Sequence, residues 1–203
     1  MTGMRFRETM TGRLALRASD PVAGYASASA VAATMRAAID ITDVAAFVSS
    51  EVPTARLRAE LVIPVLGGRF LSTDGGEFAL FKQGDGRDGK PARWMTYTAR
   101  FENGDRAYEM TAIKYLQPSW HLWGDSTTAH VVLKDVTKYE GSFRRRHAAG
   151  FIKISPTSFL VQLTTMRGFG AGTTWSDRCR AVQAYARFFI RGLAKTYLCR
   201  LRW

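Results

Sequence analysis

The chain has 203 residues, 46% hydrophobic, 12% aromatic and 23% charged, a composition that excludes disorder and suits one packed domain over residues 1–203. Its 29 Lys and Arg against 17 Asp and Glu leave a formal charge of +12, which favours an anionic partner without choosing among nucleic acid, phospholipid and acidic protein. No run of eighteen apolar residues occurs and the amino terminus has no apolar signal core, so the expected location is cytoplasmic, at most peripheral to a membrane.

Residues 4–16 alternate, with Phe6, Met10, Leu14 and Leu16 on one face and Arg5, Arg7 and Arg13 on the other, the period of a half-buried strand. An alanine-rich stretch from Asp20-Pro21 to Ala33 reads as a short helix or loop. Met35, Ala37, Ile39 and Ile41 form a second strand, after which Thr42 is the expected N-cap of a short helix through Phe47. Leu57, Ala59, Leu61, Ile63 and Val65 make a third strand ending at a Gly67-Gly68 turn, and Glu77 to Lys82 a fourth. Asn103-Gly104 marks a tight hairpin between Trp94–Phe101 and Ala107–Tyr115. On these two strands Met95, Tyr97, Ala99 and Phe101 share one face, and Tyr108, Met110, Ala112 and Lys114 another.

Ser126 to Lys134 and Gly150 to Ile154 complete eight strands, all within residues 4–154. Ser155-Pro156 starts a helix to Met166, Gly168–Gly172 reads as a hinge, and a last helix spans about 177–198. The fold expected is mainly β: an eight-stranded antiparallel lipocalin-like barrel with a C-terminal amphipathic helix. An open, bent sheet around that helix is the alternative. Cys179 and Cys199, at opposite ends of the last helix, would lie roughly 30 Å apart and cannot pair. No Cys or His cluster has ligand spacing, so no metal or cofactor is expected.

Half of the positive excess falls in the last 29 residues, where seven basic residues face only Asp177. Arg187, Arg191 and Lys195 form an i, i+4, i+8 row, readable as a solvated helix face, a dock for an acidic partner or a contact for anionic lipid. Arg144-Arg145-Arg146-His147 reads as a solvated hairpin tip. Nucleic-acid binding is not expected, because no recognised motif interleaves the charge with exposed aromatics.

The chemistry concentrates between Lys114 and Leu133. Strand alternation sets Ser126, Thr128, His130 and Val132 on one face. Thr128 and His130 could then share an interior cavity with Lys114, or Lys114 could be a structural partner of Asp125 or Glu109. If the protein is an enzyme, Lys114, His130 and Tyr97 are the expected proton-transfer residues. A serine nucleophile built from Ser126, His121 or His130 and Asp125 lacks the Gly-x-Ser-x-Gly elbow. Met95, Tyr97, Phe101, Tyr108, Met110, Trp120, Trp123, Thr128 and His130 are the expected ligand-binding set.

Several segments together resemble a known family. They are Phe6-x-Glu8-x-Met10-x-Gly12, Asp20-Pro21-x-x-Gly24, Ile41-x-Asp43-x-x-x-Phe47, Leu66-Gly67-Gly68, Gly76-x-Phe78-x-Leu80-Phe81, Met95-x-Tyr97, Lys114, Leu122-Trp123-x-Asp125-Ser126-Thr127-Thr128 and Phe188-Phe189-x-x-x-Leu193-x-x-x-Tyr197. In this order they resemble an accessory domain that bacteria carry fused to cholesterol-oxidase-like flavoproteins of the glucose-methanol-choline oxidoreductase group, and sometimes to α/β-hydrolase modules. The family pattern usually reads Asp-Thr-Thr-Thr where this chain has Asp125-Ser126-Thr127-Thr128. The chain has no Gly-x-Gly-x-x-Gly after a first strand, so flavin binding is not carried over. The resemblance implies a setting in lipid or sterol oxidation and supplies no catalytic residues. The leading expectation is therefore a barrel that binds a sterol-like or other hydrophobic molecule and works with a separate flavin-dependent oxidoreductase. A cofactor-free isomerase or cyclase and a non-catalytic docking subunit are the alternatives.

Overall fold

A computed structural model describes residues 1–104, 106–118, 122–137 and 147–198. Strands hold 49% of the chain and helices 29%, and the architecture is a closed eight-strand antiparallel barrel with a C-terminal helix, as expected from the alternation. The strands are β1 (Gly3–Leu16), β2 (Val31–Ile41), β3 (Thr54–Ile63), β4 (Gly68–Ser72), β5 (Glu77–Asp85), β6 (Pro91–Asn103), β7 (Arg106–Leu116), β8 (Thr128–Asp135), β9 (His147–Lys153) and the short β10 (Arg167–Phe169). β4 and β5 occupy one position between β3 and β6, which leaves eight positions around the barrel. The helices are α1 (Pro21–Ala26), α2 (Val44–Ser49), α3 (Leu122–Thr127), α4 (Pro156–Thr164) and α5 (Trp175–Leu198).

Alternation decides which side chains fill the barrel. Met4, Phe6, Met10 and Leu14 from β1, Met35, Ile39 and Ile41 from β2, and Tyr97 and Phe101 from β6 are essentially without solvent exposure. Each large apolar side chain so buried contributes about 1.5–3 kcal/mol relative to leaving it in water. One end of the barrel is filled by the buried Phe70, Phe101, Tyr108 and Met110, with Phe70 edge-on to Tyr108 at 5.2 Å. The other end is covered by helices.

The barrel closes through β1 and β9 only over Thr11–Leu16, while Gly3–Arg5 pair with β10. Between these ladders the edge of β1 pairs with neither strand. There α4 spans from the end of β9 to the start of β10, and the Arg7 amide donates to Thr165 Oγ1 at 2.9 Å. Ser155 caps α4 as the sequence suggests, accepting from the Ser158 amide at 3.1 Å.

α5 is fixed by a bulge in β5. Leu80 and Phe81 together oppose Met95, because Ala79 pairs with Thr96 and Lys82 with Trp94. Phe81 adopts φ 58°, an uncommon conformation for a bulky residue. Its ring meets Phe188 and Phe189 of α5 at 5.7 and 6.0 Å. Gly192 permits this approach, since a Cβ there would lie 2.0 Å from the Phe81 ring.

Several expected boundaries shift. Asp43, not Thr42, caps α2, accepting from the amides of Ala45 and Ala46. Val65 is exposed because Pro64 begins a 3-10 turn and ends the β3 ladder. Asn103 pairs with Arg106, so the hairpin loop opens at Gly104 (φ 55°) rather than at Asn103. Ser126 and Thr127 belong to α3 rather than to a strand. Gly168 and Phe169 of the expected hinge belong instead to β10, paired with β1. Trp120, His121, Arg144, Arg145, Arg146 and Cys199 lie outside the described residues.

Candidate functional site

Glu8 lies midway along the uncovered edge of β1 and in phase with Phe6 and Met10, so the pleat turns its carboxylate into the barrel. It is 6% exposed, and its neighbours satisfy both oxygens. Tyr97 Oη donates to Oε2 at 2.8 Å, and Lys114 Nζ reaches the same oxygen at 3.4 Å. Gln162 Nε2, from α4, donates to Oε1 at 2.8 Å. The β6–β7 hairpin and the distant α4 thus meet on one carboxylate of β1 because the β1 seam admits α4.

Lys114 is 1% exposed and shares the inward face of β7 with Met110 and Ala112. Burial lowers its pKa, against the opposing influence of Glu8. Its ammonium also lies 5.1 Å from the centre of the Tyr97 ring. Burial, reinforced by the Glu8 charge, pushes the Tyr97 phenol well above its ordinary range, and the same two causes raise Tyr185.

This polar cluster forms one end of a cavity of about 450 Å³, within the size range of small-molecule pockets. Phe78, Met95 and Ile154 continue its barrel side. Phe159, Leu163 and Met166 wall it from α4 and the residues after it, and Tyr185, Phe189 and Leu193 from α5. Trp123, Leu163 and Ile190 are part of the lining and are also substantially exposed to solvent. Trp123 packs edge-on against Phe159 at 5.4 Å, and Tyr197 Oη donates to Asp125 Oδ2 at 3.4 Å, tying α5 to α3.

Lys114, Tyr97, Met95 and Trp123 are therefore at or beside this cavity, with Tyr97 behind the Glu8 carboxylate. Phe101, Tyr108 and Met110 belong to the packed opposite end. The expected meeting of His130 and Thr128 with Lys114 does not occur. His130 pairs with Ile113, Ala129 and Val131 take the inward positions of β8, and Thr128 and His130 face outward. Outside the barrel they line a separate depression of about 340 Å³ with Arg87, Tyr115, Gln117 and Phe151. The imidazole lies edge-on between Phe151 at 4.5 Å and Tyr115 at 5.1 Å, and its Nδ1 is buried without a hydrogen-bond partner among the described residues. Burial, then the charge of Arg87, pushes its pKa down to about 4. The partner of Lys114 is Glu8, not Asp125 or Glu109.

Two members of the cluster were missed by sequence reasoning. Glu8 carried a usable signal, being the one acidic residue in the inward series of β1. Gln162 carried none, since its position depends on how α4 crosses the seam.

Arg187, Arg191 and Lys195 make no ion pair with the described residues, unlike Arg5 and Arg58, which share Asp40. With Arg93 they border a separate groove of about 560 Å³ along α5. No described helix is long and apolar enough to cross a membrane. Among the described residues, no three His, Cys, Asp or Glu side chains are grouped to hold a metal ion.

No protein-family model, curated protein or solved structure matches the chain. Function is therefore read from the chemistry of the cavity itself.

Proposed function

We propose that the protein binds one hydrophobic small molecule, of sterol-like or comparable bulk, in the cavity between the barrel mouth and helices α4 and α5. The observation that carries this reading is an apolar cavity of about 450 Å³ that ends on a buried, hydrogen-bonded Glu8–Lys114 pair. Apolar walls supply the driving force for binding and the polar end fixes orientation. The exposed Trp123, Leu163 and Ile190 form an apolar rim, and the cations of α5, which make no ion pair with the described residues, stand on its neighbouring flank. That arrangement suits loading from an anionic membrane surface. By the resemblance noted above, the physiological setting is service to a separate flavin-dependent lipid or sterol oxidoreductase.

Native mass spectrometry after incubation with a lipid extract tests the reading. Wild-type protein should retain one apolar ligand, and Ala186→Trp, which fills the cavity from α5, should lose it. Folded wild-type protein that retains nothing overturns the proposal.

A second reading, proton-transfer catalysis such as isomerisation, is favoured by one observation: Lys114, with its lowered pKa, and Tyr97 both contact Glu8 beside the cavity. His130 has no part in this version. If turnover of a bound ligand survives Lys114→Ala, the catalytic reading fails.

A further inference from the structure

The hydrogen-bonding capacity left over at the polar end of the cavity has a definite pattern. Glu8 can take little more, because Gln162 holds one oxygen while Tyr97 and Lys114 share the other. The Gln162 amide has only one orientation compatible with this network: its NH₂ must face the carboxylate, which cannot donate. Its Oε1 is consequently left buried with no partner among the described residues, on a side chain that is 7% exposed and lines the cavity. Lys114 has three ammonium donors, and Glu8 is its acceptor among the described residues. Among the described residues, a buried acceptor without a partner and surplus N–H donors therefore flank one carboxylate at the end of an apolar cavity.

We propose, building on the cavity-binding reading above, that the ligand is a neutral long-chain or alicyclic alcohol whose hydroxyl accepts from Lys114 and donates to Gln162 Oε1. A hydroxyl is the smallest group that does both. A ketone satisfies Lys114 and leaves Gln162 Oε1 unpaired. A carboxylate brings a second negative charge beside Glu8 in a desolvated site and also confronts the Gln162 carbonyl, so fatty acids are selected against. An alkane leaves both protein groups unpaired, and leaving a buried polar group unpaired is costly.

The test is competition between dodecanol and its dodecyl analogues (the methyl ketone, the carboxylic acid and the alkane) against a neutral fluorescent apolar probe bound by wild-type protein at neutral pH. Dodecanol should displace the probe at a concentration about tenfold or more below that of each analogue. In Gln162→Leu that preference for the alcohol over the ketone should vanish while the probe still binds. Equal displacement by the alcohol, ketone and acid, or preference for the acid, overturns the alcohol assignment and leaves the cavity-binding reading intact. Failure of the probe and every dodecyl compound to bind folded wild-type protein overturns the cavity reading itself. Retention of the alcohol preference in Gln162→Leu also overturns the assignment. Should that variant not fold, the wild-type series decides alone.

Discussion

Lys114 and His130 sit on adjacent antiparallel strands, both substantially buried and both in contact with aromatic rings, yet the barrel wall separates their chemistry. Lys114 points inward onto a carboxylate and a cavity. His130 points outward between Tyr115 and Phe151, with Arg87 as the largest influence on its charge after burial. A buried base beside a counter-charge keeps a reason to stay ionised, whereas one beside rings and a cation becomes neutral. Proximity in sequence and contact with aromatic rings therefore say little about role; the face of the strand and the sign of the neighbouring charge decide it.

The sharpest way to break this contrast is to remove one half of the interior pair. Glu8→Leu or Lys114→Met should each cost about 3–5 kcal/mol, because either leaves an uncompensated buried charge. The double variant should recover much of that loss, and urea denaturation of all three measures the coupling. Additive losses would mean the two groups do not depend on one another.

A smaller effect is expected where α5 is pinned to the barrel. Gly192→Ala drives a methyl group into the Phe81 ring and should cost about 1–3 kcal/mol. It should weaken ligand binding in the cavity while leaving the titration of His130 unchanged, since α5 does not line the outer depression. Equal disturbance of both sites, followed by binding assay and NMR titration, would show that they are not independent.

The outer site has its own pH signature. The folded pKa of His130 is about 4 against an ordinary 6.5, so between those values the unfolded chain takes up a proton that the folded protein refuses. Stability should rise as pH increases from about 4 to about 6.5 and level off above. Discounted for partial exposure, the amplitude attributable to His130 is about 1–2 kcal/mol. His130→Phe should remove that component, and identical pH profiles for the two proteins would contradict the assignment.

The mildest perturbation concerns the membrane-facing proposal. Reversing Arg187, Arg191 and Lys195 to Glu should abolish salt-sensitive cosedimentation with anionic vesicles and leave folding intact. Unchanged cosedimentation would assign the row to ordinary solvation.

Much of the barrel was legible because half-buried strands write their pleat into the sequence. Phe6 and Met10, Met35 and Ile39, and Tyr97 and Phe101 each declared an inward face. The same logic places Glu8 inside and Lys114 beside Ala112. It also turns His130 outward once Ala129, Val131 and Leu133 are recognised as the more uniformly apolar series. β4 was hidden because Gly67 and Gly68, both with positive φ, mask the start of a five-residue strand. What no pattern contained was the seam: the register that splits β9 from β10 along β1, and with it the reach of Gln162 to Glu8, is a property of closure rather than of local sequence.

An apolar ligand should enter the helix-covered end of the barrel and not the end filled by Phe70, Phe101, Tyr108 and Met110, and the methionines report on both. Met95 and Met166 line the cavity, while Met35 and Met110 are buried elsewhere in the barrel. In methyl-labelled protein titrated with dodecanol, the Met95 and Met166 resonances should shift to saturation at one equivalent, with Met35 and Met110 unmoved. Shifts centred on Met110, or none at Met95 and Met166, would contradict the account.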